Sequence, residues 1–290
     1  MITLLLFFLF LYLLVAYSLR WLVVSNSTEF IKQHKKINPF AGSSHRVFSA
    51  IFDFSLEYCS YLLSFALLLT DYFYHYVFVY FKSAKNSKLE PNNQPPILLL
   101  HGCMMRGRTL FFIQKRLQKD GWNQVFTWNY MPPFKNIPYY AEKLKDKVDE
   151  ILRRTTHTKI ILVCHSMGGL IARYYINCLK GKSSVDKLIT LGTPHKGTQL
   201  WSFSCNPCVL DMRPGSDFLK RLRAIPLNIK VLSIYSSFDT IVLPYHNSIL
   251  KRKNVVNKEF DNLGHMRLIF SPKVYEEIRS FLVKDDPFDL

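Results

Sequence analysis

Ser166 lies where an apolar run meets a helical pattern, in the segment IILVCHSMGGL at residues 160–170. The run predicts a buried strand and the residues beyond Gly169 predict a helix, so Ser166 would occupy a tight strand-to-helix turn. Such a turn exposes the serine hydroxyl at the strand end, where a neighbouring base can activate it as a nucleophile. The alternative is an ordinary N-cap serine. The rest of the chain decides between them by supplying a base, an acid and an oxyanion site.

The residues next to Ser166 fit the turn with one departure. The backbone N–H of Met167 would point toward a developing oxyanion, and small residues are needed two positions before and after the serine. Gly168 meets the second requirement. Cys164 stands where glycine is usual, and it is small enough for the close approach of strand and helix.

A candidate acid follows a later predicted strand, in VLSIYSSFDTIVLP at residues 231–244. A carboxylate at this strand end, Asp239, can hold an imidazole in one tautomer. A turn-forming aspartate is the ordinary alternative. Asp211 and Asp217 compete for the role, but both lie in a polar segment that contains Pro and Gly.

A candidate base, His265, lies in FDNLGHMRLIF at residues 260–270, between the last predicted strand and the last predicted helix. The chain order Ser166, Asp239, His265 is the order that α/β-hydrolases use. The ordinary interpretations of a single His are a solvated loop residue or a core histidine with its hydrogen bonds satisfied, and His246 is the second candidate base.

A second oxyanion donor is predicted after the strand ILLLHG at residues 97–102. Gly102 lets the backbone approach a substrate closely, and the N–H of Cys103 is the expected donor. Removing one such donor typically lowers turnover by about 10²–10³-fold.

Apolar strand runs alternate with helical patterns after residue 96, which predicts a mostly parallel sheet with helices on both faces. Ligands of such sheets bind beyond the carboxyl ends of the strands, where the candidate residues lie. The predicted strands are 97–102, 123–129, 159–164, 187–192, 230–235 and 255–260, and the predicted helices are 110–119, 139–154, 168–180 and 273–283.

The first 82 residues predict a membrane-anchoring region, followed by a linker at 83–96 and a catalytic domain at 97–290. Residues 2–19 are uncharged and close to the length that spans a bilayer, although a signal peptide is a rival interpretation. Residues 58–81 predict a second span, with an amphipathic helix as the alternative, because Asp71 and His75 interrupt the apolar run.

The chain is basic, with 38 Lys and Arg against 21 Asp and Glu. This charge predicts attraction to anionic head groups of a membrane. We expect no nucleic-acid partner, because no basic motif interleaved with aromatic residues accompanies the charge. Basic residues between the two apolar runs favour an extracytoplasmic catalytic domain, whereas Lys82, Lys85 and Lys88 favour the opposite side.

The six cysteines predict neither a metal site nor a redox centre. Only Cys205 and Cys208 have motif spacing, and no second Cys or His pair stands at zinc spacing. A local disulfide between these two residues, or two free thiols, is expected. The proposed chemistry needs no metal or organic cofactor.

Five segments together resemble lipases of the α/β-hydrolase superfamily: LLLHGCM, VCHSMGGLIARYY, LITLGTPHKGT, SIYSSFDTIVLP and NLGHM. The chain is similar to bacterial triacylglycerol lipases and esterases and to lipase-like inositol deacylases, over about residues 95–282. The resemblance implies Ser166 as nucleophile, Asp239 as acid and His265 as base, with Cys103 and Met167 as oxyanion donors. It assigns no chemistry to His195.

The resemblance also implies that residues 198–222 form a lid. Packing against the sheet is the equally weighted alternative for its apolar residues, and the candidate acyl contacts are Trp201, Phe203, Met212 and Phe218. The expected activity is cleavage of lipid or acyl esters. An acyltransferase, a thioesterase and a non-catalytic scaffold of the same fold are the alternatives.

Overall fold

The computed structural model describes residues 44–78, 94–132 and 135–283. Within these ranges six strands form one sheet: β1 Ile97–Leu100, β2 Val125–Trp128, β3 Ile160–His165, β4 Val185–Leu191, β5 Lys230–Ser236 and β6 Val255–Phe260. All neighbouring strands are parallel, and their order is β2-β1-β3-β4-β5-β6. The prediction of a mostly parallel sheet is confirmed.

The α-helices of the described ranges are α1 Ser44–Phe78, α2 Phe111–Lys119, α3 Ile137–Thr155, α4 Met167–Cys178, α5 Pro207–Asp211, α6 Asp217–Ala224, α7 Arg267–Phe270 and α8 Pro272–Val283. Short 3₁₀ helices occupy Gly107–Leu110, Gly181–Ser183, Gln199–Phe203 and Tyr245–Ser248. The α3 helix begins where the Asn136 side chain accepts a hydrogen bond from the backbone N–H of Tyr139, at 3.0 Å.

Apolar residues cover both faces of the sheet because successive side chains of a strand point to opposite sides. In β1, Leu98 and Leu100 join a core with α3 and α4, whereas Ile97 and Leu99 join a second core with α2 and α8. All four side chains are fully buried. This two-sided burial explains why β1 reads as a continuous apolar run rather than an alternating one.

The strand order places a crevice between β1 and β3. From β1 the chain moves outward to β2 and then returns to β3 on the other side of β1. Loops that leave β1 and β3 therefore diverge at the carboxyl edge, which is the point where open parallel sheets bind ligands. The segments that begin at His101 and at Ser166 lie there.

The chain separates into two compact units between Cys59 and Ser60, and the second unit contains the sheet. Helix α1 starts at Ser44, well before the predicted span at 58–81. Among the described residues no helix is both long and apolar enough to cross a membrane. The predicted second span is therefore not confirmed, and the first predicted span, residues 2–19, lies outside the described residues.

Candidate active site

Ser166 adopts a backbone conformation that few non-glycine residues tolerate, with φ 53° and ψ −124°. Backbone strain of this kind persists only where surrounding contacts enforce it. Its N–H donates to the carbonyl of Leu191 at 2.8 Å, and its own carbonyl accepts from Thr193 Oγ1 at 2.8 Å and from the Gly169 N–H at 3.1 Å. These bonds hold the turn that the sequence predicts between β3 and α4. Ser166 is not an ordinary cap, since its side chain makes no capping hydrogen bond.

The close approach of α4 to β1 explains the small residues around Ser166. A Cβ atom on Gly168 would lie 2.7 Å from the carbonyl oxygen of His101 and 2.9 Å from that of Leu100. Cys164 is fully buried in β3, where it is in register with Leu100 on one side and Thr190 on the other. The thiol therefore fits a position where glycine is more usual, and burial raises its pKa.

Asp239 and His265 form a buried pair, with His265 Nδ1 2.7 Å from Asp239 Oδ2. The other carboxylate oxygen, Oδ1, accepts from the backbone N–H groups of Ile241 at 2.7 Å and Val242 at 2.9 Å. Both side chains are almost inaccessible to solvent. A carboxylate fixed in this way directs the Nδ1–H of His265 toward itself and leaves Nε2 available to accept a proton.

The alternatives for acid and base lie elsewhere. Asp211 accepts a hydrogen bond from the Ile137 N–H at 2.7 Å, and Asp217 is an exposed residue that pairs with Lys220. His246 is exposed in the 3₁₀ helix Tyr245–Ser248. Asp239 and His265 are therefore the acid and base candidates that the structure brings together.

Contacts around the His265 ring place it close to the Ser166 turn. Gly192 follows Leu191, whose carbonyl accepts a hydrogen bond from the Ser166 N–H. A Cβ atom on Gly192 would lie 3.0 Å from His265 Nδ1. Gly192 also has a φ of 56°, so glycine suits this position for both space and conformation. The ring of His165, the residue before Ser166, lies 4.7 Å from the His265 ring, and its Nε2 is 3.2 Å from the His265 carbonyl oxygen.

His165 was not predicted as part of the site. It is fully buried, and burial and the neighbouring His265 lower its pKa well below the usual value. A neutral imidazole here adds no positive charge beside His265. A charged His165 would disfavour protonation of the base.

The loop after β1 holds the predicted oxyanion residues Gly102 and Cys103. The Tyr130 hydroxyl donates to the His101 carbonyl at 2.7 Å and lies 3.2 Å from that of Gly102, while the Tyr130 ring stacks on His101 at 3.9 Å. A Cβ atom on Gly102 would lie 3.0 Å from Ser166 Cβ, so this loop and the serine turn are neighbours. Met167 begins α4, and the first N–H groups of a helix have no acceptor within it.

The far end of this loop is tied to α1. Arg106 forms a salt bridge with Asp71, and Asn129 Nδ2 donates to the same Asp71 oxygen at 3.3 Å. Asn129 Oδ1 in turn accepts from the Gly107 N–H at 2.6 Å. The carboxylate that interrupts the apolar run 58–81 therefore has a charged partner within the unit that contains the sheet. The polar residue within an apolar helix was the signal in the sequence for such a partner.

Residues 198–222 pack partly into the protein. Met212 and Phe218 are buried in the same core as α3 and α4, and the Phe218 ring stacks on Tyr174 at 5.7 Å. Trp201 is partly exposed beneath the guanidinium of Arg213, at 5.5 Å. For Met212 and Phe218 the packing favours the alternative that these side chains cover the sheet. Phe203 ends a 3₁₀ helix, and its side chain lies outside the described residues.

His195 has structural partners. Its Nδ1 lies 3.3 Å from Arg173 Nη1, and its Nε2 lies 3.2 Å from Thr190 Oγ1 and 3.4 Å from Ser233 Oγ. Burial and the nearby Arg173 lower the pKa of His195 well below the usual value. The residue therefore joins α4 to β4 and β5 behind the site.

The thiol of Cys208 faces Cys103, at an Sγ–Sγ distance of 3.9 Å, while Cys205 is exposed. All six cysteines are free, so the expectation of two free thiols at 205 and 208 is met and the alternative of a local disulfide is not. In the part of the chain that the structure describes, no cluster of His, Cys, Asp and Glu could hold a metal ion.

Residues 137–261 match the model of a family described as the PGAP1-like alpha/beta domain. The chain is 27% identical over 169 residues to a GPI inositol-deacylase of Candida albicans, covering 51% of this chain and 39% of that protein. It is also 27% identical over 143 residues to triacylglycerol lipase 2 of Saccharomyces cerevisiae, covering 47% and 40%. The chain thus spans about two fifths of the length of these curated relatives.

The mature lipase BlEst2 of Bacillus licheniformis superposes with a TM-score of 0.59 at 20% identity, covering 68% of this chain and 96% of that structure. At this identity the likeness shows the fold alone. The resemblance to lipases and esterases of the α/β-hydrolase fold, and to an inositol deacylase, is confirmed.

Proposed function

We propose that this lipase-like protein of the α/β-hydrolase fold cleaves carboxylic esters of lipids through an acyl-enzyme on Ser166. The observation that carries the proposal is the buried Asp239–His265 pair, which lies beside a serine held in a strained strand-to-helix turn. A scaffold without catalysis has no physical need for these three groups at one strand edge. The two curated relatives are named as an inositol deacylase and a triacylglycerol lipase, and these names support a lipid ester as substrate.

In the proposed mechanism, Ser166 Oγ attacks the ester carbonyl carbon while His265 Nε2 takes the serine proton. Asp239 holds the opposite ring nitrogen and stabilises the imidazolium. The N–H groups of Met167 and Cys103 bind the oxyanion.

The alcohol then leaves with the proton from His265. A water molecule, activated by the same imidazole, attacks the acyl-enzyme and releases the carboxylic acid. If another hydroxyl or amine takes the place of this water, the protein is an acyltransferase, and if the leaving group is a thiol, it is a thioesterase.

Labelling with a fluorophosphonate probe tests the proposal, because the probe bonds covalently to activated serines. We expect wild-type protein to be labelled, and Ser166→Ala and His265→Ala to be unlabelled. Ser202→Ala is the control, since Ser202 is an exposed serine of the 3₁₀ helix Gln199–Phe203. Absence of labelling in folded wild-type protein would contradict an activated serine and favour the scaffold.

A series of esters then separates the substrate classes. Glycerides, phospholipids and acylated inositol lipids of increasing chain length are compared by kcat/KM, with free carboxylic acid as the measured product. Formation of a transferred acyl product without free acid would assign the activity to a transferase.

We also propose that the uncharged residues 2–19 anchor the protein to a membrane, supported by the length of this run and by the basic charge of the chain. Carbonate extraction of labelled membranes tests the anchor in the same experiment. Release of labelled protein into the soluble fraction would contradict it.

A further inference from the structure

Two thiols from distant parts of the chain meet beside the proposed oxyanion site. Cys103 follows Gly102 in the loop after β1, and Cys208 lies in α5, 105 residues later. Their sulfur atoms are 3.9 Å apart. Cys208 is 2% exposed, whereas Cys103 is partly accessible to solvent. This arrangement differs from the 205–208 pairing that the sequence spacing suggests.

The two thiols differ in acidity because of the contact between them. A hydrogen bond with Cys208 lowers the pKa of Cys103 and outweighs the effect of burial, while the same contact and burial raise the pKa of Cys208. Cys208 Sγ also lies 3.3 Å from Asn206 Oδ1, which can accept from the Cys208 S–H group. Cys103 is therefore the thiol that ionises first and that an oxidant in solution can reach.

We propose that Cys103 and Cys208 form a reversible disulfide when a peroxide oxidises them, and that this bond switches off ester cleavage; the second part rests on the function proposed above. The Cys103 thiolate attacks hydrogen peroxide, which gives a sulfenic acid and releases hydroxide. The Cys208 thiol then attacks this sulfur, the S–S bond forms and water leaves. The two thiols together lose two electrons and two protons, and the peroxide is reduced to two water molecules.

We expect the bond to draw the loop of Cys103 toward α5. A disulfide requires an S–S distance of about 2.05 Å, so the sulfur atoms must approach each other from 3.9 Å. Helix α5 is held in place, because Asp211 accepts from the Ile137 N–H and Cys208 belongs to the main core. The approach therefore falls mainly on the loop of Cys103, whose N–H is the proposed oxyanion donor.

The test uses the full chain in reduced form, treated with hydrogen peroxide and then digested without reduction for mass spectrometry. We expect a peptide pair that links Cys103 to Cys208, and a loss of ester hydrolysis of at least about tenfold, because one oxyanion donor is displaced. Dithiothreitol should remove the link and restore the rate.

Two variants separate this disulfide from other oxidation. Cys208→Ser should keep its ester hydrolysis after peroxide treatment, whereas Cys205→Ser should form the link and lose activity as wild type does. Peptide maps that show no Cys103–Cys208 link, or only a Cys205–Cys208 link, would overturn the pairing. Equal inactivation of Cys208→Ser and wild type would overturn the switch.

Failure of the proposed function is distinguishable from failure of this inference. If the reduced protein neither hydrolyses esters nor reacts with a fluorophosphonate, the proposed function fails, while the peptide map still reports on the disulfide. If the link forms and hydrolysis continues unchanged, the disulfide exists but is no switch.

Discussion

The two oxygens of the Asp239 carboxylate have separate partners, and this division makes a sharp test of its role possible. One oxygen accepts from two backbone N–H groups, and the other faces His265 Nδ1. An asparagine at this position can keep the backbone bonds through its oxygen and would turn its NH₂ group toward the histidine. The imidazole would then carry its proton on Nε2, where it cannot accept the serine proton.

We therefore expect Asp239→Asn to lower kcat for ester hydrolysis by about 10⁴-fold with little change in folding or KM. Steady-state kinetics and thermal unfolding measure the two effects. Asp217→Asn is the matched control, since Asp217 is exposed on α6 and contacts Lys220. A decrease of less than about tenfold for Asp239→Asn would contradict the orienting role.

Candidate residues of the proposed site could be selected from the sequence where they follow a strand. Ser166, Asp239 and His265 each follow a strand, and their order matched a known arrangement. His165 and Gly192 could not be assigned, because their contacts with His265 join segments 100 and 73 residues apart. Such contacts depend on the register between β3, β4 and β5, which sequence alone does not provide.

At the scale of elements, the Asp71–Arg106 salt bridge joins α1 to the far end of the loop after β1. Both side chains are largely buried. Loss of one partner of a largely buried ion pair typically costs about 3–5 kcal/mol. The loop that contains Gly102 and Cys103 would lose a fixed point at its far end.

We expect Asp71→Asn to lower the free energy of unfolding by about 3 kcal/mol and to lower kcat more than it changes KM. The double variant Asp71→Arg with Arg106→Asp should recover part of both losses, since it restores opposite charges. Thr70→Ala, an exposed neighbour on the same helix, is the control. Unchanged kcat in Asp71→Asn, or no recovery in the double variant, would show that the pair does not position this loop.

Long or strongly apolar elements were predictable, and short ones were not. Each predicted strand lies within two residues of the observed one, because runs such as ILLL and IILVCH are buried on both faces. The helices α5, α6 and α7 were not predicted. They have 5, 8 and 4 residues and depend on tertiary packing, since isolated helices of this length are unstable in water.

At the scale of the whole molecule, alternation of strands and helices was enough to predict the parallel sheet. The N-terminal assignments have no such alternation to rest on. An apolar run such as 58–81 is compatible with a membrane span and with packing on a protein surface. The salt bridge of Asp71 with Arg106, more than thirty residues later, favours packing on the protein.

Buried histidines give the whole molecule a predictable response to acid. Burial lowers the pKa of His101 to about 4 and lowers those of His165 and His195 well below the usual value near 6.5. Between these values the unfolded chain binds more protons than the folded protein. Their full contribution to stability is therefore present above about pH 6.5 and decreases as the pH falls toward the folded-state pKa values.

We expect the free energy of unfolding to decrease between pH 6.5 and 5 by up to about 1.4 kcal/mol per pH unit for each of these histidines. Urea denaturation at a series of pH values measures this slope. His195→Asn should reduce the slope by about one histidine's share, whatever its effect on stability at pH 7. The same substitution at the partly exposed His157 is the control. A slope that His195→Asn leaves unchanged would mean that carboxylates, and not this buried imidazole, control unfolding in acid.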